Sequence, residues 1–181
     1  MFKDCISLTT APELPATTLA YQCYYSMFEG CKSLTKAPEL PATTLAGDCY
    51  SCMFERCTSL TTAPALPAET LAYQCYYRMF YGCTALTTAP ELKATTLAEK
   101  CYSYMFNGCT KLKSVTMLAT DVSANQCLYN WLGGSAGTEA SSRTLTVASQ
   151  EAYDAIVGNL PANWKSGEGK ATVIYKDENS Q

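Results

Sequence analysis

Two residue types in this chain could do chemistry, and both recur at a fixed interval. Cys5, Cys31, Cys57, Cys83 and Cys109 are 26 residues apart, and so are Cys23, Cys49, Cys75, Cys101 and Cys127. Thiols can ligate metals, cross-link, or attack as thiolates. Pairs such as Cys23 and Cys31 lack the C-x2-4-C knuckle of a structural zinc site. Disulfides between neighbouring units remain open, because stacked layers would lie roughly 4.8 Å apart and disulfides accept similar Cα separations. Parallel Cβ vectors oppose them, and 11 Cys leave one unpaired. All but Cys52 recur in phase with apolar residues, so free buried thiols packing as small hydrophobes are the expectation. Cys52 falls out of phase and is expected on an exposed face, as the thiol open to a modifying reagent.

The second type is carboxylate. Glu13, Glu39 and Glu91 are in register, with Ala65 interrupting the row. Paired carboxylates hydrolyse glycosides at separations of roughly 5 to 9.5 Å, and adjacent layers would put Glu13 and Glu39 near the lower bound. Copies, however, sit in equal settings, whereas a general acid and a general base need pKa values pushed apart. The row is therefore expected to be solvated, available to a cation or a sugar hydroxyl, and not catalytic. Beside it runs Thr10, Lys36, Thr62, Thr88 and Ser114, a row with no chemistry of its own. His is absent, which removes the commonest general base and zinc ligand. No cofactor and no enzymatic activity are implied.

Tyr is the third feature, with 13 copies. Tyr24, Tyr50, Tyr76 and Tyr102 lie beside the apolar stripe and are expected in the core or at its boundary. Tyr21, Tyr25, Tyr73, Tyr77, Tyr81 and Tyr104 are placed on the outer side. Exposed Tyr offers large contact area at small entropy cost, so these residues are candidate binding groups. The formal net charge of −3 and a pI near 5.0 argue against a nucleic-acid footprint.

The elements that must position these groups follow from the repeat. Ala20, Cys23, Tyr24, Met27, Phe28 and Cys31 fit the i, i+3, i+4, i+7, i+8 spacing of an amphipathic helix, ended by a left-handed Gly30. Leu8 to Leu14, bounded by Pro15, reads as a short extended segment, made irregular by Pro12. One unit is then strand, turn, helix, turn, and the crossover makes neighbouring strands parallel. Between units the outer positions drift, as at Ser26/Cys52/Arg78/Tyr104 and Glu29/Glu55/Tyr81/Asn107, while apolar positions repeat. Stacked layers require that division.

The fifth unit degrades, and a tail follows. Thr144–Val147 alternates as a strand, Ser149 is placed to cap a helix from Gln150 to about Leu160, and Ala171–Tyr175 reads as a last strand. Met1 to Cys5 match Met27 to Cys31, so the chain starts inside a unit and shows no apolar leader. Either a preceding portion has been removed or a short natural protein starts here. An uncapped first layer is expected to self-associate.

Met-Phe-x-Gly-Cys-x-x-Leu, at Met27 to Leu34 and Met79 to Leu86, resembles the repeat of the BspA-like leucine-rich repeat proteins of bacterial surfaces. Leu14-Pro15, Leu40-Pro41 and Leu66-Pro67 are similar to that family's strand ends, and Leu145 to Ala155 with Trp164 to its C-terminal cap. One departure stands out. The family pattern L-x-x-L-x-L has an extra residue here, in Leu8-x-x-Ala11-Pro12-Glu13-Leu14. The resemblance implies a secreted or cell-surface product that meets host or neighbouring-cell partners, and it carries no catalytic residues.

The expected fold is an α/β solenoid, a right-handed leucine-rich-repeat-like coil of five units over residues 1–134, with a strand-helix-strand cap over 135–181. The expected function is a non-catalytic binding or adhesion module for protein or glycan. The first-choice site is Thr10, Glu13, Lys36, Glu39, Thr62, Thr88 and Glu91, and the second is Tyr25, Tyr77, Tyr81 and Tyr104. A spacer displaying another domain, or a carbohydrate-active enzyme using the Glu row, are the alternatives.

Overall fold

The computed structural model describes residues 1–176. Its interior is built from columns of identical side chains. Phe2, Phe28, Phe54, Phe80 and Phe106 stack ring on ring with centroids 5.6 to 5.7 Å apart and near-parallel planes. Tyr24, Tyr50, Tyr76 and Tyr102 form a second column at 5.9 to 6.0 Å. The interior Cys, Met and Leu rows are fully enclosed between them, Met53, Cys57, Leu60 and Phe80 being wholly buried. One unit thus covers the next in register.

The segment read as a helix is not one. From Asp48 to Cys57 every odd residue donates its N–H three residues back, as Met53 does to Tyr50 and Cys57 to Phe54. Every even residue donates to the following unit instead: Tyr50 to Cys75, Cys52 to Tyr77, Phe54 to Met79, Arg56 to Tyr81. The same alternation repeats in the units before and after. An α-helix would send every N–H four residues back within its own segment; here half of them join the layers. The backbone is a spiral of linked turns that steps four residues at a time. Positive φ marks each step, at Asp48 (54°), Cys52 (56°) and Arg56 (59°), and at Gln74, Arg78 and Gly82 one unit later. Gly30 does adopt the left-handed conformation, at φ 72°, but as one such step and not as a helix stop.

The extended segments touch through isolated parallel bridges, Thr10 to Lys36 to Thr62, and Thr18 to Thr44 to Thr70. Pro12, Pro38, Pro64 and Pro90 lack the N–H a ladder needs. The fifth unit lacks the extra residue at this point, and takes it up again before Cys127. Leu112-x-x-Val115-x-Met117 buries all three apolar positions, and Leu92 pairs with Met117, not Leu118. A regular strand, β1 (Ser114–Met117), forms there and nowhere earlier among the described residues. The extra residue in units one to four therefore acts as a bulge.

β1 begins a parallel sheet with β2 (Arg143–Val147) and β3 (Ala171–Tyr175), in the order β1-β2-β3. Between β2 and β3 lies α1 (Gln150–Ile156), whose N-cap Ser149 accepts from the Ala152 N–H. The α-helix ends at Ile156 and a 3-10 turn, Val157–Asn159, carries the chain on toward Pro161. Arg143 ties the tail together by donating to the carbonyls of Gly137, Ala140, Asn163 and Gly169. No helix among the described residues is long and apolar enough to cross a membrane.

Candidate functional site

The bulged segments of the first two units enclose a groove of about 450 Å³ lined by residues 9–14 and 35–39. Pro12 and Pro38 form part of its wall, and Thr10, Glu13, Lys36 and Glu39 all stand exposed around it. The structure brings these four expected residues together. Thr62 and Thr88 line a separate hollow of about 250 Å³ between the third and fourth units, where Ala63 and Ala89 are its small neighbours. Glu91 stands apart from both. It is half-buried and its Oε1 takes a 2.6 Å hydrogen bond from Nζ of Lys176, which holds its carboxyl below the usual range. Adding Lys176 to the row was not foreseeable from the repeat, because it comes from the tail.

The outer turn side corrects the sequence reading at several positions. Cys52 was expected exposed but is buried (7% accessible), and burial pushes its thiol up to about 11. Ser26 and Glu55, also assigned to the outer side, are buried too, as are the neighbouring Ser51 and Ser103. The reason is the turn spiral: with four residues per step, positions beside the apolar column turn partly inward. Tyr25 is exposed, whereas Tyr77, Tyr81 and Tyr104 are half-buried.

Those aromatics form an ordered cluster. Arg78 grips Glu55 with two hydrogen bonds, Nη2 to Oε1 at 2.6 Å and Nε to Oε2 at 2.9 Å. The hydrogen bond to Glu55, against the opposing effect of burial, raises the Arg78 pKa. Its guanidinium lies 4.0 Å from the Tyr81 ring centroid, a cation–π contact. Tyr104 meets Tyr77 and Tyr129 edge-on, at 6.1 and 5.2 Å. A hollow of about 510 Å³ opens beside this cluster, with Tyr25, Cys52 and Tyr77 in its lining.

All eleven cysteines are free thiols in the structure, with Cys5 exposed, Cys23 half-buried and the others enclosed. Among the described residues no group of three or more His, Cys, Asp or Glu side chains is placed to hold a metal ion. Comparison with protein-family models, with curated proteins and with solved structures gives no match to this chain.

Proposed function

We propose that the stacked units form a leucine-rich-repeat-like solenoid, displayed outside a bacterial cell, that binds protein or glycan partners without chemistry of its own. One observation carries the reading: the 450 Å³ groove sets Thr10, Glu13, Lys36 and Glu39 around a wall of bulged, proline-stiffened backbone. A stiff stacked scaffold with exposed polar groups loses little entropy on binding. The resemblance to BspA-like repeats supports a surface location. Glu13 and Glu39 stand exposed in matching settings, which supports recognition over acid–base catalysis.

A panel of immobilised glycans and extracellular-matrix proteins tests it. Binding to a member of the panel is expected, weakened at least about tenfold in the Glu13→Gln/Glu39→Gln double variant. No binding at any concentration would leave a spacer. Glycan hydrolysis lost in Glu39→Gln would make the chain an enzyme.

A further inference from the structure

One outer turn position repeats every second unit, not every unit. Tyr25, Tyr77 and Tyr129 alternate with Ser51 and Ser103 at the same place in the unit. Each Ser is enclosed, and Ser51 Oγ donates to the Tyr77 carbonyl at 3.5 Å. Two tyrosines therefore flank a one-layer gap in two successive places, Tyr25 to Tyr77 and Tyr77 to Tyr129. The second gap is filled. Tyr104 enters it and stands nearly perpendicular to both walls, at 79° to Tyr77 and 80° to Tyr129. Two units earlier, the residue equivalent to Tyr104 is Cys52. Its side chain is short, and a hollow of about 510 Å³ opens here, lined by Tyr25, Cys52 and Tyr77.

We propose that the Tyr25–Tyr77 gap is a binding slot for a tyrosine-type ring presented by a partner polypeptide. The filled gap supplies the template, since Tyr77 and its equivalent wall Tyr129 already hold a phenol edge-on. Edge-to-face contact with two rings is the favoured aromatic geometry. The charged side chains at the rim are already paired, Lys3 with Glu29 at 2.9 Å and Arg78 with Glu55 at 2.6 Å. A neutral aromatic group fits that rim better than an ion does. The hollow is larger than one ring, which leaves room for the chain bearing the ring. The slot lies in the turn segments and shares no residue with the groove of residues 9–14 and 35–39, so it stands or falls independently of that site.

The test is an NMR titration of the whole chain with N-acetyl-tyrosinamide, and with methyl glucoside in parallel. Saturable shifts are expected at the Ser51, Cys52 and Tyr77 amides with the tyrosine probe. Cys52→Tyr should fill the slot from within and weaken binding at least about tenfold. The left-handed backbone at Cys52 (φ 56°) matches that of Tyr104 (φ 57°), so a Tyr is tolerated there. Tyr104→Cys should open a second site, with new shifts at Ser103 and Tyr129, and this variant decides the matter if Cys52→Tyr fails to fold. Absence of saturable shifts in the wild type would overturn the proposal. So would a folded Cys52→Tyr protein that binds unchanged, a folded Tyr104→Cys protein that gains no site, or a slot that responds to the sugar and not to the phenol.

Discussion

The Sγ of Cys57 donates to the carbonyl oxygen of Phe28, in the layer before it, at 3.1 Å. The same contact recurs from Cys83 to Phe54 and from Cys109 to Phe80. That carbonyl already accepts the turn N–H of Cys31. A thiol is small enough to sit against the next layer and polar enough to satisfy the second lone pair. The column therefore tolerates little but cysteine, and its chemistry shows in stability, not in reactivity.

Alkaline pH should destabilise the fold. Burial raises Cys49 to about 11 and Cys57, Cys101 and Cys109 to about 12. The native state keeps protons that the unfolded chain releases near pH 9. The stabilisation is complete below that value and is lost as pH climbs to about 11 and 12. Each such thiol contributes a slope of about −1.4 kcal/mol per pH unit in that window. Urea midpoints between about pH 8 and about pH 10.5 should fall steeply. A flat profile would mean that the thiols are solvated.

Thiol labelling should follow burial and not repeat phase. In the native state Cys5 is expected to react first and Cys23 slowly. Cys52 should stay unmodified with the core thiols until denaturant is added, because only 7% of it is accessible. Rapid native-state labelling of Cys52, located by mass spectrometry, would restore the exposed position that sequence periodicity assigns to it.

Phe54 lies between Phe28 and Phe80, 5.7 Å from each, and is fully buried. Phe54→Ala should cost about 3 to 5 kcal/mol, since both neighbouring layers lose contact and cannot collapse onto the void. A loss under about 1 kcal/mol in a denaturant titration would contradict the stacked columns.

The Glu55–Arg78 pair should behave asymmetrically. The Glu55 side chain is 6% accessible and that of Arg78 26%. Arg78→Ala leaves the buried carboxylate only the 3.8 Å pair with the exposed Arg56 and should cost about 2 to 3 kcal/mol, a little less than a fully enclosed pair would lose. Replacing both residues with Leu should cost under about 1 kcal/mol. A double variant as unstable as the single one would show that packing, not charge, explains the loss.

Much of this was legible in the sequence and some was not, for definable reasons. The 26-residue period identified which side chains stack, and the Ser149 cap and the last two strands lie where local patterns put them. The turn spiral was hidden because helical and four-residue spacing nearly coincide over three turns. Ala20, Tyr24 and Phe28 are four apart, as are Cys23, Met27 and Cys31. A helix of 3.6 residues per turn would swing such rows round by about 40° at each step. That strict step of four was the available signal, with Gly30, Gly82 and Gly108 at the left-handed positions. The fifth unit held the other clue. Its L-x-x-V-x-M run, free of the extra residue and of Pro, is where a regular strand forms. Glu55 was misplaced because its partner Arg78 also sits at a drifting position, one unit on.

The central claim is that alternate backbone N–H groups of the turn segments bind the next layer. Through-hydrogen-bond couplings, measured by NMR on the labelled chain, read this directly. The Phe54 N–H should couple to the Met79 carbonyl and the Tyr50 N–H to that of Cys75. Coupling of the Phe54 N–H to the Tyr50 carbonyl instead would mean a helix, and the layered account would be wrong.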